Sequence, residues 1–213
     1  YGNLIEHNEV YNIAINGWMH DLSGIYMLGV SPGTIVRNNY VHHVGDGNNV
    51  IVIYTDAGSS NIRWENNLVT HADAGYLHGF GKDNVIVNNV FAYFNYGLIR
   101  AHDISPNTSF LLEKNIFYSN QKNMLLDWKG HEGYVWRNNL YWCPDGVLFN
   151  GEDFAAWQAQ DRDIGSLVAD PLFADPVNGE FTLSPDSPAF SIGFVPFNLD
   201  DVGTRAAVGA GVD

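Results

Sequence analysis

Apolar and β-branched residues in this chain come in short runs of strand length, and the runs end on asparagine. The stretches Leu4 to Tyr11, Ile35 to His42, Arg63 to Val69, Val85 to Phe91, Leu111 to Phe117 and Tyr134 to Tyr141 share one plan: an apolar run, one or two Asn, then a further apolar pair. The last Asn of each falls at position 8, 39, 67, 89, 115 and 139, at intervals of 31, 28, 22, 26 and 24. Self-similarity at such a period marks a repeat architecture. The runs alternate with period two and none carries a long helical stripe, so each unit is built of strands. Units of this length hold three short strands and three turns. The expected fold is all-β: a right-handed parallel β-helix, a solenoid of about six or more coils. Coils stacked at ~4.8 Å place like residues over like, so the recurring Asn side chains bond amide to amide in a ladder inside one turn.

Beyond residue 142 the plan stops. Phe154 to Gln160 predicts a short helix, and Asp170 to Phe173 and Leu183 to Phe190 predict strands and turns punctuated by proline. A solenoid needs its open end covered. Residues 1–142 are therefore expected as β-helix coils, and 143–213 as the last coil and C-terminal cap of the same domain.

A second strand recurs upstream of each Asn unit: Gly24 to Leu28, Val52 to Asp56, Gly75 to Gly79, Gly97 to Asp103 and Met124 to Trp128. Stacking these runs puts Thr55, His78, Arg100 and Asp127 near one column, with Asp56 and Trp128 one step along. Tyr26 and Tyr54 alternate with Ile25 and Ile53, so inward isoleucines turn the tyrosines outward. Exposed aromatic rings stack on the C–H faces of sugars, and Trp18 and Trp128 are the expected platforms, whereas for Trp64 and Trp136 a place in the core fits at least as well as a place on the surface. His78 and His102 are expected to line the groove. Asp56 is open to two readings. It pairs with Asp21, Asp103 or Asp127 at the ~5 to 9.5 Å that glycoside hydrolysis requires, or it caps a turn ahead of Gly58 and Ser59.

Charge narrows the partners. The 213 residues carry 10 Lys plus Arg against 24 Asp plus Glu, a formal charge of −14, which repels a nucleic-acid backbone or an anionic lipid surface and favours a neutral glycan over a polyanion. The single cysteine, Cys143, excludes an intrachain disulfide, and the eight His show no metal-binding spacing. No metal is expected beyond a structural calcium ion.

The segments Gly24 to Asn39, Ile53 to Ile62, Gly81 to Asn84 and Asp170 to Phe173 resemble the C-terminal half of bacterial right-handed β-helix proteins of glycoside hydrolase family 141. The resemblance covers nearly the whole chain. It implies xylanase or fucosidase activity, with Asp21 and Asp56 catalytic. Two positions depart from that pattern: Ala57 stands where the family tends to have Glu, and Leu77, His78 and Gly79 stand where it has a His-rich strand. In size and context the chain is similar to the β-helical xylan-binding modules of carbohydrate-binding module family 89. The resulting expectation is a non-catalytic module for xylan or a related neutral hemicellulose. It is expected outside a bacterial cell, as a monomer fused to a catalytic glycoside hydrolase domain. Its ligand would be held by Trp18, Asp21, Tyr26, Tyr54, Asp56, His78, Arg100, His102, Asp127 and Trp128. The alternative is a glycoside hydrolase using an Asp pair that includes Asp56.

Overall fold

A computed structural model describes residues 1–13, 22–45, 50–78, 81–101, 107–130 and 132–203, with 57, 77 and 78 described by their backbone alone. The strands run in chain order as β1 (Leu4–Glu6), β2 (Glu9–Ile13), β3 (Ser23–Arg37), β4 (Tyr40–Val44), β5 (Ile51–Glu65) and β6 (Leu68–His78). They continue as β7 (Asn84–Val87), β8 (Val90–Ala101), β9 (Phe110–Glu113), β10 (Ile116–Tyr118), β11 (Leu125–Trp128), β12 (Tyr134–Arg137) and β13 (Leu140–Trp142). After β14 (Leu148–Phe149) and β15 (Glu152–Asp153) come the helix α1 (Phe154–Gln158), then β16 (Leu167–Val168), β17 (Phe173–Asp175) and β18 (Glu180–Leu183). Fourteen of these strands pair in parallel as one sheet coiled into a β-solenoid of about five turns. The expected all-β, parallel solenoid is thus the observed architecture, with about five turns where six or more coils were expected.

Stacking follows from side-chain type. One inward row reads Val36, Trp64, Ile86, Leu112 and Trp136, each in register with the next. A second reads Val41, Val69, Phe91, Phe117 and Tyr141. Within it Phe91 and Phe117 stack at 5.2 Å and Phe117 and Tyr141 at 5.1 Å, their ring planes nearly parallel. A third reads Ile53, Tyr76, Ile99 and Leu125. All of these residues are buried, which places Trp64 and Trp136 in the core rather than on a sugar-binding surface.

The Asn pairs divide their work. The residue before each ladder Asn, namely His7, Asn38, Asn66, Asn88, Lys114 and Asn138, takes a left-handed φ of 52 to 57°. Asparagine tolerates that region better than most residues, so it turns the corner. The ladder Asn then points inward. Amide nitrogens of Asn8, Asn39, Asn67, Asn89 and Asn115 each donate to the carbonyl of the next, at 2.9 to 3.2 Å. Asn139 ends the series by donating to Asp163 at 3.2 Å.

The C-terminal residues do two things. Phe149 and Trp157 join the interior core, and α1 forms where a short helix was expected, its N-terminus capped by the Asp153 side chain. Residues 188–203 instead run back along the flank. Ala189, Ile192 and Phe194 cover an outward apolar row of Leu68, Val90, Ile116 and Leu140. The segment is pinned where the Asn88 side chain bonds both the carbonyl and the amide of Val195, and where the Gly203 amide donates to the His7 carbonyl. Burying an apolar row that would otherwise face water is the physical reason for this path.

Candidate functional site

The face formed by the first half of β3, the first half of β5, the second halves of β6 and β8, and β11 carries the expected polar residues in a register different from the expected one. Tyr26 pairs with Tyr54, Tyr54 with Leu77, Leu77 with Arg100 and Arg100 with Asp127. The neighbouring row reads Met27, Thr55, His78, Ala101 and Trp128. Thr55 and His78 therefore do not share a column with Arg100 and Asp127. The cause is a one-residue slip: Gly97 lies opposite Ala74, not Gly75. In a strand of period two such a slip exchanges faces. Thr55 is fully buried and bonds Tyr76 Oη at 3.2 Å.

The outward row has chemistry at both ends. The Tyr26 and Tyr54 rings meet edge to face at 5.0 Å, and the Tyr26 hydroxyl donates to Asp56. Asp56 is thus tied to the coil before it and sits inside β5. Beyond Leu77, Arg100 Nε lies 3.8 Å from Asp127 Oδ2, an ion contact longer than a hydrogen bond. That N–H is buried and has no hydrogen-bond partner among the described residues. Leu28 and Val30 extend the outward face of β3 as exposed apolar side chains.

Trp128 stands apart from this row. It follows Asp127 by one position and so turns to the other side of β11, where its ring packs against Trp136 at 5.2 Å and Trp157 at 5.6 Å. It is a wall of a pocket at the end of the solenoid, not a lateral platform. Trp18, Asp21, His102 and Asp103 lie outside the described residues, and for His78 only the backbone is placed.

Asp127 lies three strand spacings from Asp56, roughly 14 Å at ~4.8 Å per strand, beyond the ~9.5 Å upper limit for a hydrolytic carboxylate pair. Among the described residues, no three His, Cys, Asp or Glu side chains group to hold a metal ion.

A second cluster escaped the sequence reading. Tyr11 stacks on His42 at 5.2 Å, His43 on His71 at 5.1 Å, and His71 lies 5.0 Å from Tyr93. His42 Nδ1 bonds His43 Nδ1 at 2.7 Å, and His42 Nε2 meets Glu9 at 3.2 Å. The signal was present as equal offsets. Tyr11 and His42 lie three residues past a ladder Asn, while His43, His71 and Tyr93 lie four past. Burial, followed by the charges of His43 and His42, lowers the His71 pKa from 6.5. A lowered folded-state pKa means that the unfolded chain binds the proton more tightly. The associated stability is complete above 6.5, begins to go as the pH falls below that value, and is gone once the pH has passed the folded pKa. The thermal midpoint is therefore expected to fall between pH 7.5 and 5, and His71→Gln to fall less over the same interval. Parallel melting curves for the two proteins would refute this.

Compared with models of protein families, with curated proteins and with solved structures, the chain matches none.

Proposed function

We propose that this chain is a non-catalytic carbohydrate-binding module for xylan or a related neutral hemicellulose. The observation that carries the reading is the outward row in register: two tyrosines at one end, and at the other an arginine whose Nε–H has no hydrogen-bond acceptor among the described residues, beside an aspartate. Tyrosine rings offer rigid surface to sugar C–H faces at low ordering cost. Arginine and aspartate supply a donor and an acceptor for ring hydroxyls. From Tyr26 to Asp127 the row spans four strand spacings, roughly 19 Å, room for several sugar units along the solenoid axis. The formal charge of −14 favours a neutral polymer on this surface. In this reading the module acts outside the cell, as a monomer, beside a fused catalytic glycoside hydrolase domain.

The test is to titrate the chain with unsubstituted xylo-oligosaccharides while assaying released reducing ends. Binding without turnover is expected. Tyr26→Ala and Arg100→Ala are each expected to weaken it about tenfold, the scale at which truncation of an anchor is felt. Turnover that Asp56→Asn abolishes would establish a glycoside hydrolase instead. Failure to bind any neutral hemicellulose would remove the glycan reading.

A further inference from the structure

At the end of the solenoid a pocket of about 540 Å³ opens between β11, β12 and the segment following α1. Its walls are the indoles of Trp128, Trp136 and Trp157. The Arg162 guanidinium lies over Trp157, with its carbon 4.5 Å from the ring centre, and 6.0 Å from the Trp128 ring. A guanidinium laid on an aromatic face keeps its edge donors available to a planar acceptor.

Space for a ligand is left at Gly130. This glycine adopts a φ of +69°, and a Cβ there would lie 3.5 Å from Trp128 Nε1 and 3.9 Å from Arg162 Nη2. The two donors thus border one side-chain-free volume. The Trp136 indole N–H is also buried and has no acceptor among the described residues. An unmet buried donor is costly, which makes it a marker of a missing acceptor. Exposed Lys129 adds a positive charge at the rim, and Glu132 and Asp161 place exposed carboxylates there. The oxygens of Asp163, deeper in, already accept from Tyr141, Ser166 and Asn139.

We infer that this pocket binds a hexuronic acid residue of a glycan. One such sugar matches the two donors beside Gly130 and the carboxylates at the rim. Its C–H face lies against the Trp128 indole, which is half-buried where Trp136 and Trp157 are buried. Its carboxylate accepts from Arg162 and the Trp128 indole N–H, and its hydroxyls donate to Glu132 and Asp161. The same two carboxylates repel a compact inorganic anion that brings no hydroxyl donors. The inference does not rest on the xylan reading, since it uses different side chains from the outward row and a different sugar.

The experiment is calorimetric titration of the intact chain with methyl β-D-glucuronide, methyl β-D-glucoside and sodium sulfate. The glucuronide is expected to bind about tenfold more tightly than the glucoside, the scale of a charge-assisted hydrogen bond. Arg162→Gln is expected to erase that preference, with Arg162→Lys as the second variant should the first unfold at a lower urea midpoint. Trp128→Phe, which keeps a ring and loses the N–H, is expected to weaken the glucuronide, while Tyr26→Ala leaves it unchanged. Equal affinity for the two glycosides, sulfate binding as tight as the glucuronide, no binding of the glucuronide, or indifference to both Arg162 variants would each overturn the assignment.

Discussion

Replacing Asn89 by leucine is expected to cost about 3 to 6 kcal/mol of folding stability, a large part of the ~5 to 15 kcal/mol that holds a typical domain together. Asn89 occupies the middle of the ladder. Its amide nitrogen donates to Asn115, to the Val87 carbonyl and to the Trp64 carbonyl, at 3.0 to 3.1 Å. Its oxygen accepts both the side-chain amide and the backbone N–H of Asn67, each at 2.9 Å. Leucine fills a similar volume but meets none of these groups. Each buried donor or acceptor left unmet costs roughly 1 to 3 kcal/mol. The readout is the urea midpoint, compared with Asn120→Ala at an exposed position, where a change within about 0.5 kcal/mol is expected. An Asn89→Leu midpoint equal to that of the parent would show that the ladder contributes no net stability.

Asp163→Leu is expected to be the next most damaging, at about 3 kcal/mol, for a reason that only the end of the ladder makes visible. This carboxylate is buried and accepts from Asn139, from Ser166 and from Tyr141 Oη at 2.6 Å. Burial raises its pKa above the ordinary value of 3.8, against the opposing pull of those donors. Because the folded pKa exceeds the unfolded one, the linked stability is complete below 3.8 and is lost as the pH rises through the folded value. Asp163→Asn keeps an acceptor and removes the titration. The parent's advantage over Asp163→Asn should therefore be larger in acid than at neutral pH. Denaturation curves at the two pH values would contradict the burial argument if the advantage grew with pH.

The lateral row and the end pocket differ in how far they were legible. Tyr26 and Tyr54 were placed outward correctly because alternation with Ile25 and Ile53 is a local property of one strand. Arg100 and Asp127 were correctly paired. Their assignment to the column of Thr55 and His78 failed because it assumed that like glycines align, and Gly97 meets Ala74. Trp128, expected as a lateral platform, lines the end pocket instead, because a residue one step from an outward Asp127 turns to the other side of its strand. The pocket it lines draws Arg162 from beyond α1, and no period in the sequence connects that residue to β11.

The Asn ladder and the all-β character were determined by the sequence itself, because both rest on residue types with few alternatives at their positions. Asparagine serves both left-handed corners and amide ladders, so its recurrence specifies a coil even at unequal intervals. The tertiary structure alone decided which polar side chains share a face, that the ladder ends on Asp163, and that residues 188–203 strap the flank. Register between coils depends on bulges and turns whose lengths differ from coil to coil. The path of the last segment depends on an apolar row that exists only after Leu68, Val90, Ile116 and Leu140 have stacked.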